Sequence, residues 1–344
     1  MESKNKTTLS ASRIKTAQSC SWLYWCKYHL KLPDKSNDGA RRGSICHLVF
    51  ECLGEDRHKK HFSIVIKKRD IFASKSIERL VRKHAKKEGI GDEANIKMIC
   101  DMTLAGLQHD FYGLDRGKPT EALSEQDFDM NIEEGNVSYK IKGFIDKLFL
   151  YKKKGLAIIR DFKSSKEVFK GKELENNLQD LMYALAVKKK YPEYAQTQSE
   201  FLFLKFLPEE KGVIRMPILT DEELYGFELE LTEIQKYLDN FDLKTALSNF
   251  AARQDYPKDN SFGGPLQCGR ATSKGQLKKD GSVMYHCSYK FEFYYYKIND
   301  LQGNMVTSCF LEAYDEFVKK YPEDKFLYEM IHYKGCPAHQ KRRA

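Results

Sequence analysis

The chain has 344 residues, of which 41% are hydrophobic, 31% charged and 12% aromatic, a globular composition that excludes disordered and fibrous classes. Lysine and arginine number 58 against 49 acids, a net charge of +9, with clusters at Lys67-Lys68-Arg69, Lys152 to Lys154, Lys188 to Lys190 and Lys341-Arg342-Arg343, and this balance suits a polyanionic partner. No apolar run approaches the ~20 residues of a membrane span, and the N-terminus MESKNKTTLSASR lacks a secretory signal's apolar stretch, so a cytoplasmic location without membrane contact is expected.

In chain order, Leu9-Ser10-Ala11-Ser12 supplies a serine cap for a first helix carrying Ile14, Ala17, Trp22 and Leu23. The polar, glycine-bearing stretch from Pro33 to Gly43 reads as a loop, and Ser44 to Leu53 as a second helix on which His47 and Glu51, four apart, share a face. Apolar spacings of three and four predict helices over 74–88 and 92–112. From Gln126 the texture turns to β: alternating Phe128, Met130 and Ile132, then a long run from Val137 to Leu150, then Leu156 to Phe162. Helical spacing returns from Glu173 to Lys190, strands are expected at 201–207 and 213–218, and Thr220-Asp221-Glu222-Glu223 is a capping box opening a helix that reaches towards Phe250.

This order predicts an α/β fold: a mixed sheet core flanked by helices, with a helical N-terminal part and a C-terminal appendage. The expected boundaries are 1–120 for the helical part bearing His47, 121–256 for the core and 257–344 for the appendage, all within one compact unit. The glycine-rich stretch 261–269 is the expected entry to the appendage.

The chemistry concentrates on one hairpin. The strands before and after Tyr151-Lys152-Lys153-Lys154-Gly155 are joined by so short a polar gap that they read as antiparallel. With the turn between Lys153 and Lys154, Asp146 lies 153 − 146 = 7 positions before it and Asp161 lies 161 − 154 = 7 after it, so the two face each other, their Cβ atoms about 5 Å apart. Two carboxylates that close among Ile, Leu and Phe resist ionisation unless a cation compensates them. A hard divalent ion suits that need, since Mg²⁺ prefers carboxylate oxygen and can activate a water while neutralising phosphate charge. Lys163, two residues after Asp161 on the same strand, shares its face and adds a fixed positive group.

These residues resemble the PD-(D/E)XK nuclease superfamily, and within it the RecB-like exonuclease group related to CRISPR-associated adaptation nucleases. The likeness is carried by Leu9-Ser10-Ala11-Ser12-Arg13, Gly43-Ser44-Ile45-Cys46-His47 with Glu51, Gly143 to Asp146, Asp161-Phe162-Lys163, and Gln179 with Tyr183, over about residues 9 to 207. It implies a restriction-endonuclease-like core in which His47, Asp146 and Asp161 bind metal, the Phe162 carbonyl completes the shell and Lys163 assists hydrolysis. Gln179 and Tyr183 would face the site and meet nucleic acid; their four-residue spacing places them on one helical face. Glu51 is a further catalytic candidate. An imidazole ligand shifts preference from Mg²⁺ towards Mn²⁺.

Nine cysteines without a small scaffold's regular spacing favour reduced thiols. The RecB-like resemblance implies a [4Fe-4S] cluster on one N-terminal and three closely spaced C-terminal cysteines. Here Cys20 and Cys26 stand in the N-terminal place, while Cys268, Cys287, Cys309 and Cys336 are scattered, with no C-terminal C-x-x-C. A hairpin between Cys268 and Cys287 would still bring Cys20, Cys268 and Cys287 together, and His286 leaves Zn²⁺ open as well. The aromatic stretch from Tyr289 to Tyr296 is expected to be a buried strand rather than a stacking surface for bases.

The expected function is hydrolysis of DNA phosphodiester bonds, as an exonuclease or flap-type nuclease on single strands or single-stranded ends, in replication, recombination or repair. No GxxxxGK[ST] P-loop is present, so unwinding would come from a separate helicase or recombination protein. The rivals are an accessory that binds nucleic acid with the same fold but does not cleave, and an interaction protein whose lysines merely keep it soluble.

Overall fold

A computed structural model describes residues 6–35, 37–253 and 267–340. Residues 261–266 of the glycine-rich stretch and the Lys341-Arg342-Arg343 cluster lie outside the described residues. The chain forms two compact units, one of Met1–Ala11 with Ser36–Asp239 and the other of Ser12–Lys35 with Asn240–Ala344. Helices α1 (Ala11–Ser19) and α2 (Ser21–Tyr24) are followed by α3 (Asp38–Gly54), α4 (Lys59–Lys68), α5 (Lys75–Lys87) and α6 (Glu93–Gln108). Strands β1 (Glu121–Glu134), β2 (Val137–Tyr151) and β3 (Leu156–Lys163) come next, then α7 (Leu178–Lys190), β4 (Gln196–Phe203), β5 (Val213–Arg215) and α8 (Asp221–Asp239).

The first unit is built on a five-stranded sheet of order β1-β2-β3-β4-β5. Only β3 and β4 run parallel, and α7 provides the helical crossover that a parallel pair needs. It is the mixed α/β core with flanking helices that the pattern of segments predicts. Gly135, at φ +57°, turns the β1–β2 hairpin, a conformation that costs glycine little. The β2–β3 register pairs Lys147 with Arg160 and Leu148 with Ile159, the alignment set by a turn between Lys153 and Lys154.

Neighbouring residues of β3 serve opposite faces, as strand alternation requires. Phe162 points to the helical side, where its ring lies 4.1 Å from that of Phe50 on α3 in a core with Val49, Leu53, Val81 and Ile99. Asp161 points the other way, to α7. On that side α8 also contributes, its Glu228 accepting a 2.7 Å hydrogen bond from Tyr139 of β2.

Helix boundaries follow the caps. Asn37 accepts from the Ala40 amide, so α3 starts at Asp38 and takes in part of the stretch whose glycines suggest a loop. Asn177 accepts from Gln179 and Asp180, which delays α7 to Leu178 from the expected start at Glu173. The capping box at Thr220 and Glu223 forms in both directions, and α8 ends at Asp239, short of Phe250.

The second unit carries a three-stranded antiparallel sheet of β6 (Phe293–Asp300), β7 (Met305–Phe310) and β8 (Phe326–Tyr333) in the order β7-β6-β8. Cys26, Leu32, Tyr289, Phe293, Tyr295 and Tyr333 form its buried cluster. The aromatic run thus enters a strand, although Tyr294 in its middle is half exposed and stacks on His332 at 4.4 Å. Among the described residues no helix is long and apolar enough to cross a membrane.

A buried ion network ties the sheet of the first unit together. Glu200 on β4 accepts from Arg160 on β3 at 2.9 Å and from Arg116 at 2.9 Å, with Arg215 on β5 at 3.2 Å. Burial alone would raise the Glu200 carboxyl; the charges and hydrogen bonds of Arg160 and Arg116 overcome it and hold it below the usual range. Stability from this group is therefore complete above the unfolded value of ~4.3 and lost as pH falls towards the depressed folded one. Glu200→Gln should lower unfolding free energy at pH 7 by roughly 3 kcal/mol, because the buried Arg160 guanidinium loses its nearest carboxylate, and should flatten the acid side of the stability profile. Urea titrations at several pH values read both; unchanged midpoints and slope would contradict it.

Candidate metal centre

Helix α3 delivers His47 with one face of the helix, and the glycines on that face explain how closely it approaches the sheet. Gly43, His47, Phe50 and Gly54 recur at helical spacings of four, three and four. A Cβ on Gly43 would come within 2.5 Å of Ser164 Oγ, just past the end of β3, and one on Gly54 within 2.8 Å of Lys147 Nζ, with Ser124 Oγ closer still. Both glycines thus let α3 lie directly on the strand ends that carry acids.

At the centre, His47 Nδ1 is 3.1 Å from Asp146 Oδ1, and the other oxygen of Asp146 accepts a 2.7 Å hydrogen bond from the Phe162 amide. That bond crosses from β3 to β2 beside Asp161, the next position in the hairpin register after Lys147 opposite Arg160. Asp161 is buried, at 4% exposure. Its Oδ1 accepts from Gln179 at 2.8 Å and from Tyr183 at 3.1 Å, and its Oδ2 is 2.7 Å from Lys163 Nζ. This last contact is an ion pair off hydrogen-bond direction, and Oδ2 has no hydrogen-bond donor among the described residues. Lys163 in turn donates to Gln179 Oε1 at 2.6 Å.

Glu125 of β1 completes the group. One ligand atom each of His47, Glu125 and Asp146 lie within 4.8 Å of one another. No expectation from the sequence included this residue. Its φ of +47° is left-handed, which costs a residue other than glycine roughly 1–2 kcal/mol. Residues held at such angles concentrate where function demands them. A cross-strand signal was present: with Glu134 paired to Val137, Glu125 lies 135 − 125 = 10 positions before Gly135 and Asp146 lies 146 − 136 = 10 after Asn136.

The electrostatics follow from crowding acids into a half-buried pocket. Burial raises the Glu125 carboxyl to about 7, the charge of Asp146 adding to it. Burial also raises Asp161, with Lys163 opposing and Asp146 reinforcing. Burial pulls the His47 imidazole down, but the hydrogen bond and charge of Asp146, with Asp161 and Glu125 behind it, carry it up to about 9. The pocket recruits positive charge from whatever group can supply it, and a divalent ion fits a donor set of one imidazole and carboxylate oxygens. The orphaned Asp161 oxygen points the same way.

His47, Asp146, Asp161, Phe162, Lys163, Gln179 and Tyr183 therefore meet in one place. Glu51 is exposed on α3, one turn beyond His47, and lies outside the close ligand group. Four of the cysteines gather in the second unit, where Cys20, Cys268, Cys287 and Cys336 line a single cavity with Lys290 and His339. Cys336 joins the expected three by fold, 49 residues after Cys287 in sequence. His286 instead has its Nδ1 at the carbonyl of Cys287, 3.0 Å away.

A family model described as the PD-(D/E)XK nuclease superfamily matches residues 8–264. Among solved structures, one of a Eubacterium rectale protein described as "Putative exonuclease" is 14% identical, over 70% of this chain and 84% of that one, with a TM-score of 0.41. Another, of the protein SSO0001, is 17% identical over 46% of this chain and 67% of that one, with a TM-score of 0.24. No curated protein matches the chain.

The glycine face of α3 yields a test. Gly43→Val should push the helix off Ser164 and carry His47 with it; a displacement near 1 Å at a reacting centre costs about 10²-fold in rate. Turnover in a variant whose circular dichroism and melting match the parent measures this, and an unimpaired rate would remove the packing argument.

Proposed function

This chain belongs to the PD-(D/E)XK nuclease superfamily, and on that premise we propose that it is a Mg²⁺- or Mn²⁺-dependent deoxyribonuclease. It acts as an exonuclease or flap-type nuclease on single strands or single-stranded ends in replication, recombination or repair. The observation that carries this reading is the meeting of His47, Asp146 and Asp161 with the Lys163 ammonium in one half-buried pocket.

Held by His47, Asp146 and Asp161 together with the Phe162 carbonyl, the ion would supply an activated water and charge neutralisation at the phosphate. The chain's own residues do the positioning. Asp161 and Gln179 hold the Lys163 ammonium from two sides, the first by charge and the second by accepting one proton, leaving its other protons to orient water or to meet a phosphoryl oxygen as negative charge builds there. Gln179 also donates to Asp161 and to the Tyr183 hydroxyl, so one amide fixes carboxylate, ammonium and phenol together. Burial, with the charges of Asp161 and Asp146 next, holds the Tyr183 phenol well above its usual range, and it stays a neutral donor.

Charge distribution supports a nucleic-acid partner. The second unit has 21 lysines and arginines against 13 acids, an excess of 8 out of the chain's +9, a pattern that favours phosphate contacts there. In the same unit Cys20, Cys268, Cys287 and Cys336 would hold a [4Fe-4S] cluster. Zinc suits them less: among the described residues no three cysteine or histidine ligand atoms come within 4.8 Å of one another, whereas thiolates around zinc at ~2.3 Å stand roughly 4 Å apart. Burial holds the Cys287 thiol up to about 12 and that of Cys336 up to about 11, so loading with a metal group displaces protons.

Labelled single-stranded and duplex DNA, incubated with the protein in Mn²⁺, Mg²⁺ or EDTA, tests the activity. Cleavage that needs metal is expected, falling roughly 10²–10³-fold or more in Asp161→Asn and Lys163→Ala while DNA binding is kept. Parental rates in either variant would remove the assignment; metal-independent binding with no cleavage by the parent would favour the inactive accessory. For the cluster, anaerobically purified protein should show broad visible absorption with iron and sulfide, lost in Cys336→Ser; a colourless, iron-free protein would refute it.

A further inference from the structure

We infer that Glu125 is itself a ligand of the divalent ion, a carboxylate that forms the metal cradle with His47 and Asp146. The inference rests on the nuclease reading above and adds to it a residue that the expected ligand set lacks. Three independent features support it.

The first is distance. Ligand atoms around an octahedral ion at 2.0–2.1 Å stand roughly 3 Å apart when adjacent and roughly 4 Å apart when opposite. The donors of His47, Glu125 and Asp146 already lie within 4.8 Å of one another, close to the spacing of three ligand places on one ion. Asp161, by contrast, keeps only Oδ2 for an ion: Oδ1 is taken by Gln179 and Tyr183, and Oδ2, which no described donor hydrogen-bonds, lies 2.7 Å from the Lys163 ammonium. It can lend an oxygen to an ion only by sharing it, which leaves a place for another anionic donor.

The second is backbone. The β1–β2 ladder pairs Ser124 with Lys147 and Gln126 with Ile145 and skips the pair between them, Glu125 opposite Asp146. Left-handed φ at Glu125 interrupts an otherwise regular strand at the one step facing a candidate ligand. Glycine would adopt that φ readily; a glutamate there has its side chain as the reason.

The third is anchoring. Ser124, the residue before, sits against Gly54 of α3, and Gly54 is seven residues, two turns, after His47 on the same helix face. The contact that brings β1 to α3 therefore also sets Glu125 against His47. With one imidazole among carboxylates, the cradle takes Mn²⁺ in preference to Mg²⁺.

Mn²⁺ binding to the full chain, followed by calorimetry and by the loss of the free-ion electron paramagnetic resonance signal, tests this without reference to turnover. Glu125→Gln should weaken Mn²⁺ by at least about tenfold, and Asp146→Asn likewise. Asp127→Asn, the same charge change two residues along the strand at an exposed position, should leave the affinity unchanged. Glu125→Gly, which suits the left-handed backbone, should melt no lower than the parent without metal yet bind Mn²⁺ as poorly as Glu125→Gln; this guards against a merely misfolded variant. Parental affinity in both Glu125 variants, with loss in Asp146→Asn, would overturn the role of Glu125 and leave the nuclease reading standing. A parent protein that binds no Mn²⁺ would overturn both.

Discussion

Like charge held in a confined space is the constraint on which the first unit turns. Hairpin register forces Asp146 and Asp161 to the same level of adjacent strands, and Glu125 arrives opposite Asp146 from the other side. Asp161 is buried and the Asp146 side chain nearly so, on strands whose neighbouring Ile145 and Ile159 are buried as well, and these two acids are kept from bulk water. In such surroundings carboxylates either protonate or gather cations. Here they gather what the fold provides, an ammonium from Lys163 and an imidazole from His47, while burial still pushes the Glu125 and Asp161 carboxyls up. Superfamily membership supplies the chemical sense of this crowding, since metal-dependent nucleases of this kind need a site that prefers a divalent ion.

The rest of the unit serves to bring four elements to that point. Glycines on α3 permit close approach, the Phe50–Phe162 stack fixes the distance, and the Arg160–Glu200 network holds β3 to β4 from the far side of the hairpin. Helix α7 then closes the site with Gln179 and Tyr183. Each contact is ordinary. Their common effect is to place a lysine and an imidazole against acids that would otherwise repel one another.

Much of this was legible in the sequence, for identifiable reasons. Asp146 and Asp161 could be paired because a short polar gap of known centre sets an antiparallel register by counting, and Lys163 followed from strand alternation. Element order and type were likewise readable from apolar spacing. Glu125 was missed because periodic β texture begins only at Gln126, so the strand that starts at Glu121 looked shorter than it is, and because a left-handed residue inside a strand leaves no periodic trace. Cys336 is not legible as a partner, since nothing local in the sequence links it to Cys268 or Cys287; the fold of the second unit gathers them. Gly39 and Gly43 hide the start of α3 because glycines in a polar stretch signal a loop, whereas Gly43 serves a close approach to Ser164 within the helix.

The central claim is spatial, so diffraction tests it most directly: crystals soaked in Mn²⁺ and measured at wavelengths on either side of the manganese edge. A single strong anomalous peak within coordination distance of the Asp146 carboxylate and the His47 imidazole, on the side bordered by Glu125, is the predicted result. A peak elsewhere on the molecule, or none at saturating Mn²⁺, would contradict the assignment of this pocket as the metal centre.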